Sequence, residues 1–340
     1  MASRRSSSFE SHELLDTNHN PHVKSNIPKP VILRGLVCIL GACLAALLLL
    51  IFSIVHFNSF PKKSLHYSSD LTRNILVKKI HSHNDYWRDR PLYTALSYGV
   101  QSVEADVWYL PEQSKTDTLY VGHSLASLTD ERTFQRLYID PLSNILSRTN
   151  PDSKFMSLSN HVNGVFDTDS YATLYLFVDF KTDGDALWPH VYNALEPLRS
   201  KGYLTYFDED EETWHNGPIT VIGTGNTPYK KVSELRKRDF FFDSPLENLN
   251  ASYPSTIGPI ASCALGKLVG EVKEISGLDD SQYQKLRKLV DDAHSKDILT
   301  RVWDTPWWPK IKQQNIWREI LRAGSDFLNA DDLEYASEFM

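Results

Sequence analysis

The stretch "SVEADVW", Ser102 to Trp108, alternates apolar residues with two carboxylates. Residues two apart on a β-strand share a face, so Glu104 and Asp106 lie on one side and their apolar neighbours lie on the other. The apolar side suits contact with a layer of helices, which turns both carboxylates away from that layer. Two adjacent buried acids repel each other and lose hydration unless a cation or a basic group is near. The stretch therefore predicts a barrel strand whose carboxylates point inward.

A second stretch, "LYLFVDFKTD" from Leu174 to Asp183, has the same two-residue pattern. It puts Asp179 and Lys181 on one face with Phe177, so a third inward carboxylate arrives beside an inward lysine. Three carboxylates without supporting cysteines suit one hard divalent cation, Mg²⁺ or Ca²⁺, better than zinc. The alternatives are solvated surface charges or an ordinary ion pair at a strand end.

Histidines stand next to both stretches. "LVKKIHSHNDYWRDRPL", Leu76 to Leu92, contains His81 and His83 at the end of a predicted first strand, and His123 closes "YVGHS" after the second. Barrel enzymes keep their chemistry at the carboxyl ends of their strands, so we expect these side chains at one mouth. Two histidines beside a divalent ion can act as base and acid.

The order of the predicted elements indicates an α/β fold. Strand signals recur with helix-compatible spacers between them, which is typical of parallel βαβ units. Residues 75–340 are near the usual size of a TIM (β/α)8 barrel, roughly 250 residues. Seven strands are predicted directly, and an eighth is placed within "ASYPSTIGPIA", residues 251–261. The run "TLYVGH", Thr118 to His123, is expected to pair beside strand two as a short extension.

Taken in order, these motifs resemble the phospholipase C-like phosphodiesterase superfamily, which includes the glycerophosphodiester phosphodiesterases and the sphingomyelinase D-type enzymes. The string "HSHNDYWRDRPLYTALSYGVQSVEADVW", with "LYIDPL" and "RVWDTP", resembles most the altered inheritance of mitochondria protein six family. The resemblance covers residues 76–333 and implies a TIM barrel that hydrolyses phosphodiesters with one Mg²⁺ or Ca²⁺ ion.

The resemblance also implies a role for individual side chains. It makes His81 and His123 the acid/base pair and Lys181 a catalytic contact to the phosphate. The implied metal ligands are Glu104, Asp106 and Asp179. The implied substrate contacts are His83, Asn84 and Trp303. Asn84 is similar to the asparagine of the histidine-x-x-asparagine start in the sphingomyelinase D group.

The amino-terminal part has a different composition. Residues 1–35 are predicted to be a disordered polar tail, residues 36–55 a single transmembrane helix, and residues 56–74 a linker. The apolar segment holds twenty uncharged residues, whereas a cleaved signal peptide has a shorter core nearer the terminus. A single-pass membrane protein with its barrel on the non-cytosolic side is expected, with the membrane and a lipid-derived phosphodiester as partners.

Trp307 and Trp308 are predicted either to contact lipid headgroups or to pack internally. The net charge of -7 argues against nucleic acid as a partner.

Two other functions are compatible with the sequence. One is a metal-dependent amidohydrolase or phosphoesterase with His81-x-His83 as ligands, which needs further histidines at later strand ends. His190, His215 and His294 fall instead in predicted helices or loops. The other is a catalytically silent barrel that acts as a membrane-tethered binding module.

Overall fold

The computed structural model describes residues 37–38, 40–52, 71–113 and 117–340. The chain divides after Leu65 into two units, and the barrel belongs to the second. The predicted tail over residues 1–35 lies outside the described residues, as does the predicted linker up to residue 70.

The first unit corrects one prediction. Residues 37–38 and 40–52 are helical. No helix in the described ranges is both long enough and apolar enough to cross a bilayer. The predicted transmembrane helix over residues 36–55 and the single-pass localisation that depended on it are therefore wrong.

The second unit is built on a closed sheet. Its strands are β1 (Lys78–Ser82), β2 (Val100–Tyr109), β3 (Leu119–Val121), β4 (Leu174–Phe180), β5 (Tyr206–Asp208), β6 (Thr213–His215), β7 (Ile219–Gly225), β8 (Lys237–Arg238), β9 (Phe241–Pro245), β10 (Ile260–Ala264), β11 (Leu299–Trp303) and β12 (Phe327–Ala330). Eight of them pair in parallel in the order β1, β2, β4, β7, β9, β10, β11 and β12, and β12 returns to β1. The predicted eight-stranded parallel barrel is present.

Helices follow most barrel strands. They are α1 (Tyr93–Ser97), α2 (Asp140–Thr149), α3 (Gly184–Ala194), α4 (Glu196–Arg199), α5 (Tyr229–Ser233), α6 (Leu265–Val269), α7 (Asp280–His294), α8 (Lys310–Arg322) and α9 (Leu333–Phe339). Asp183 and Asp279 cap the first turns of α3 and α7 by accepting backbone N–H bonds, which satisfies donors that a helix start leaves unpaired.

The predicted strand faces agree with the packing. Phe177 is buried with apolar side chains of four other barrel strands, namely Ile222, Phe241, Ile260 and Phe327. Val103, Val107 and Val178 belong instead to the core cluster that includes helix side chains. The interior of the barrel is thus filled at mid-height, and inward residues two positions further along each strand emerge at the carboxyl-terminal mouth.

Three smaller features complete the fold. The run Leu119–Val121 pairs antiparallel with β2, as predicted for the "TLYVGH" extension. The strand predicted within residues 251–261 is β10, which begins only at Ile260; its other four residues are small, so its sequence signal is weak. The hairpin of β5 and β6, which forms a second sheet with β8, was not predicted.

Candidate active site

Three carboxylates meet at the mouth of the barrel. Asp106 on β2 lies directly opposite Asp179 on the neighbouring β4, and Glu104 precedes Asp106 on the same face. One oxygen from each lies within 4.8 Å of the others. Glu104 and Asp106 are 5% and 1% exposed. The structure therefore brings together the three predicted metal ligands.

A glycine makes room for the third carboxylate. Gly225, at the end of β7, has a φ of 62°, a conformation that favours glycine. A Cβ atom at this position would lie 2.1 Å from Oδ1 of Asp179. The backbone of β7 thus packs directly against Asp179 and fixes its side-chain position.

Asp106 has one satisfied oxygen and one that is not. Its Oδ2 accepts hydrogen bonds from the Tyr86 hydroxyl at 2.7 Å and from Nζ of Lys181 at 2.9 Å. Its Oδ1 is buried and has no hydrogen-bond partner among the described residues. Burial, and then the Glu104 charge, raise the pKa of Asp106 to about 7. A buried carboxylate oxygen without a partner is costly, so this oxygen has an unmet demand for a positive or hydrogen-bonding group.

Lys181 brings a positive charge to the carboxylates. Its Nζ lies 2.9 Å from Oδ2 of both Asp106 and Asp179. Burial lowers the pKa of Lys181, but the two carboxylates outweigh burial and raise it above its ordinary value. Lys181 is therefore fully charged at neutral pH.

Glu104 is held by the loop after β1. Its Oε2 accepts the backbone N–H of Asn84 at 3.0 Å. Asn84 has a left-handed φ of 49°, and its side-chain oxygen accepts the Tyr86 hydroxyl at 2.5 Å. Burial raises the pKa of Glu104, but the positive charges of Arg301 and His83 outweigh it and hold the pKa below its ordinary range. Asn84 thus serves to shape the site through both its backbone and its amide.

His81 is buried within the barrel, and its two ring nitrogens have different partners. Nδ1 lies 2.7 Å from the Ser102 hydroxyl, and Nε2 lies 2.7 Å from a guanidinium nitrogen of Arg301. Because arginine can only donate, Nε2 accepts and the proton resides on Nδ1. Burial, and then the Arg301 charge, lower the pKa of His81 to about 3. His81 is neutral, and proton exchange at Nε2 requires the Arg301 bond to open.

His83 is only one-third exposed and pairs with a carboxylate. Its Nδ1 lies 2.8 Å from Oδ1 of Asp331, and its Nε2 lies 3.9 Å from Oε2 of Glu104. Burial lowers the pKa of His83, but Asp331 and Glu104 outweigh it and raise the pKa above its ordinary value. The cationic form of His83 is thus favoured at the edge of the carboxylate trio.

His123 is the most accessible of the three histidines. Its side chain is 56% exposed, and its Nδ1 lies 3.4 Å from the Tyr86 hydroxyl and 3.7 Å from Oδ2 of Asp106. Its ring packs against the ring of Trp87 at 5.1 Å. His123 therefore faces solvent beside the carboxylates, where a substrate can reach it.

Trp303 ends β11 two residues after Arg301, on the same strand face, and is partly exposed. Arg301 itself was not among the predicted site residues. Its guanidinium lies over the Phe177 ring and also contacts Asn329 and Asp243. The two-residue alternation in "LTRVW" could have indicated its inward direction, but only the folded barrel reveals its contact with His81.

Tyr86 was also missed, although it lies within the histidine-rich stretch. Its hydroxyl contacts Asp106, Asn84 and His123, so one group links the two strands and the loop. Asp85, beside it, accepts the backbone N–H of Leu92 at 2.7 Å and the Ser82 hydroxyl at 2.8 Å. Asp85 therefore folds the loop instead of facing the trio.

The predicted amidohydrolase site does not form. His190 stacks on Tyr109, His215 stacks on Tyr206, and His294 bonds to Asp326, each outside the carboxylate trio. His81 accepts from Arg301, so it is not arranged as a metal ligand. Within the described ranges, the trio is the group of three or more potential ligands that lie close together.

A closed parallel barrel with this mouth defines a phosphodiesterase-like (β/α)8 barrel. Residues 69–243 match the family described as the AIM6-like phosphodiesterase domain, and the chain belongs to that family. The protein named altered inheritance of mitochondria protein 6 homolog from Arthroderma benhamiae is 46% identical over 281 residues, covering 80% of this chain and 87% of that one. Altered inheritance of mitochondria protein 6 from Lachancea thermotolerans is 39% identical and covers 81% of this chain and 68% of its own.

Two solved structures resemble the chain more distantly. A glycerophosphodiester phosphodiesterase from Parabacteroides distasonis has a TM-score of 0.45 at 12% identity, covering 78% of this chain and 97% of that one. A Ca²⁺-dependent phosphatidylinositol-specific phospholipase C from Streptomyces antibioticus has a TM-score of 0.45 at 11% identity, covering 78% and 95%. At this distance neither likeness carries a reaction over to the chain.

Proposed function

We propose that the chain is a divalent-cation-dependent phosphodiesterase that cleaves a glycerophosphodiester or a lipid-derived phosphodiester, and that it favours a substrate with an apolar substituent. The observation that carries the proposal is the buried Oδ1 of Asp106, which lacks a protein partner while Glu104 and Asp179 stand beside it.

The donor set fits a hard cation. Glu104, Asp106 and Asp179 offer carboxylate oxygens within 4.8 Å of one another, and Mg²⁺ and Ca²⁺ prefer such ligands. The raised pKa of Asp106 reflects charge that a cation would neutralise. A bound cation would supply Lewis-acid stabilisation to a phosphate oxygen.

Lys181 provides a second positive group at the same place. Its contacts with Asp106 and Asp179 hold Nζ at the mouth, ready to face a non-bridging phosphate oxygen. Fixed positive charge near the oxygens that gain charge in the transition state lowers the barrier without reorganisation. Lys181 therefore serves as an electrostatic stabiliser.

His123 is the histidine that a substrate can reach for proton transfer. Its Nδ1 is directed towards Tyr86 and Asp106, which leaves Nε2 for a substrate hydroxyl or a water. In phosphodiester cleavage one group removes a proton from the nucleophile and another returns one to the leaving oxygen. His81 holds its proton on Nδ1, so in this pair it can act only as the base, taking a proton from the nucleophile at Nε2 once its bond to Arg301 opens, while His123 returns a proton to the leaving oxygen.

Exposed indoles support an apolar substituent on the substrate. Trp87 is 55% exposed and contacts the ring of His123, so apolar surface adjoins the site directly. Trp307 and Trp308, in the loop after β11, are 73% and 66% exposed at the same end of the barrel. Large exposed apolar side chains around a polar pocket are typical of a binding surface.

The test is hydrolysis of bis(p-nitrophenyl) phosphate by the purified full chain with Mg²⁺, with Ca²⁺ and with EDTA. We expect cation-dependent turnover that falls by roughly 10²-fold or more in His123→Ala. His190→Ala is the matched control, because His190 stacks on Tyr109 outside the site. A folded protein without cation-dependent turnover on this ester, glycerophosphocholine or lysophosphatidylcholine would overturn the proposal in favour of a silent binding barrel.

The substrate part has its own test. Trp87→Ala should raise KM for lysophosphatidylcholine several-fold and leave KM for glycerophosphocholine unchanged, since only the first ester carries an acyl chain. Trp188→Phe is a control at an indole packed on Tyr192 and Phe240. Equal changes for both esters would contradict the apolar-substituent proposal while leaving the phosphodiesterase intact.

A further inference from the structure

A cavity of about 580 Å³ lies at the opposite end of the barrel from the carboxylates. It is bounded by the residues that precede β4 and β7, by the β5–β6 hairpin and by the loop around Tyr171. Its volume falls within the roughly 300–1,000 Å³ of small-molecule sites. The amino-terminal end of a TIM barrel ordinarily contributes stability, so a cavity of this size there calls for an explanation.

The cavity has a neutral lining. Among the described residues that surround it, none is Asp, Glu, Lys or Arg. Binding a phosphate or a metal ion would leave that charge desolvated without a counter-charge, which is expensive. The lining therefore excludes ions and points to a neutral ligand.

Some polar groups of the lining have spare hydrogen-bonding capacity. Thr173, Thr220 and Thr205 form a chain of hydroxyls with steps of 2.9 Å. Thr220 and Thr205 are buried, and Thr205 also bonds to the backbone of Gly217, so Thr173 is the member of this chain that a ligand can reach. Within the described chain, the Tyr175 hydroxyl and the Trp214 indole N–H have no hydrogen-bond partner. The cavity thus offers donors and acceptors to a ligand rich in hydroxyl groups.

Aromatic faces stand beside these groups. His161 and Tyr171 stack at 3.8 Å with an interplanar angle of 16°, and Tyr171 is 77% exposed. Trp214 stacks on Phe241 at 5.1 Å and remains 37% exposed. Each platform is covered on one side by a protein ring, so a ligand stacks on a single free face. A sugar ring suits this arrangement. One face of it carries weakly polar C–H groups that can stack on an aromatic ring, and its rim carries hydroxyl groups that can form hydrogen bonds.

We propose that this cavity is a binding site for a neutral saccharide, separate from the candidate active site. Trp214 and Tyr171 supply the stacking faces, and Tyr175, Asn216 and Thr173 bind hydroxyl groups. The site stands independently of the phosphodiesterase chemistry, because no predicted site residue lines it.

The experiment uses the full chain and three probes, namely glucose, N-acetylglucosamine and adenosine, in saturation-transfer NMR followed by calorimetric titration. We expect saturable binding of at least one saccharide, weakened roughly 3- to 10-fold by Trp214→Ala and less by Tyr175→Phe. Trp308→Ala is the matched control, since Trp308 is an exposed indole at the other end. Asn216→Ala, at an exposed position, provides a second test if Trp214→Ala fails to fold.

The outcomes separate cleanly. Binding that is lost in the cavity variants and kept in Trp308→Ala supports the saccharide site. Failure of both saccharides to bind, binding of adenosine alone, or saccharide binding unaffected by the cavity variants would overturn it. None of these results depends on whether the mouth is catalytically active.

Discussion

The two ends of the barrel are built from the same strands yet have opposite chemistry. On β4 the inward residues are Tyr175, Phe177 and Asp179, and they contribute to the lower cavity, the apolar middle and the carboxylate mouth respectively. The mouth gathers three carboxylates and a lysine, whereas the lower cavity presents hydroxyls and rings.

This difference teaches that the face of a strand and the height along it carry separate information. The face decides that Tyr175 and Asp179 both point inward. The height decides what they meet, because the apolar layer around Phe177 separates them. The charged side chains are thereby confined to the carboxyl-terminal end, so a substitution can alter one end, or the apolar layer between the two ends, separately.

The largest effect should come from Asp106→Asn, which breaks the carboxylate trio. We expect phosphodiester turnover to fall on the order of 10³-fold, since loss of a cation ligand removes several kcal/mol of transition-state stabilisation. Calorimetric titration should also show weaker Ca²⁺ or Mg²⁺ binding. Asp239→Asn is the control, because Asp239 is a buried carboxylate that pairs with Arg199 before β9. An equal loss of turnover in both variants would contradict the trio as the site.

Gly225→Ala tests whether β7 positions Asp179. The new Cβ would lie 2.1 Å from Oδ1 of Asp179, and displacement of a catalytic group by about 1 Å can cost 10²-fold in rate. Gly202→Ala is a close control, since Gly202 has a similar φ of 68° but no atom within 4 Å of its Cβ position. Both variants should lose about 1–2 kcal/mol of unfolding free energy from the left-handed backbone. Turnover that falls equally in both would mean that backbone strain, not the contact with Asp179, is responsible.

Much of the mouth could be predicted from strand alternation, because Glu104, Asp106, Asp179 and Lys181 each sit at a fixed parity beside apolar neighbours. The hydrogen-bond partners of the site residues could not be predicted in this way. The bond between Arg301 and His81 joins residues 220 positions apart, and it exists only because β11 and β1 flank β12 in the closed ring.

Two errors had local causes. The strand from Ile260 is composed of small residues, so it resembles packed loop more than strand until its neighbours are known. The apolar run over residues 36–55 predicted a span by composition, but no helix among the described residues is both long and apolar enough to cross a bilayer.

Tyr86→Phe should have a smaller effect, because it removes one hydroxyl and leaves every carboxylate in place. The lost bonds to Asp106 and Asn84 are expected to reduce turnover roughly tenfold through looser positioning. Tyr138→Phe is the matched variant, since its buried hydroxyl lies 3.0 Å from Oδ2 of Asp85 and 3.2 Å from the backbone carbonyl oxygen of Glu104, without bonding to a carboxylate of the trio. It should lower the unfolding free energy by about 1 kcal/mol and leave turnover nearly unchanged. If Tyr138→Phe lowered turnover as much as Tyr86→Phe, the special role of Tyr86 would be lost.

The smallest change in turnover is expected for a substitution of Asp243, a buried carboxylate on β9. Its main effect should be on the unfolding free energy. Burial raises the pKa of Asp243 to about 6, although Arg301 at 3.5 Å opposes the shift. Because the folded state holds this proton more tightly than the unfolded state, unfolding free energy should fall as pH rises from about 4 to about 6 and level off above that window. Asp243→Asn cannot titrate, so urea unfolding across this range should show a shallower decline than in the parent chain. If the unfolding free energy of the variant changed with pH as steeply as that of the parent chain, Asp243 would titrate at its ordinary pKa. The burial of its carboxylate would then cost no stability above about pH 6.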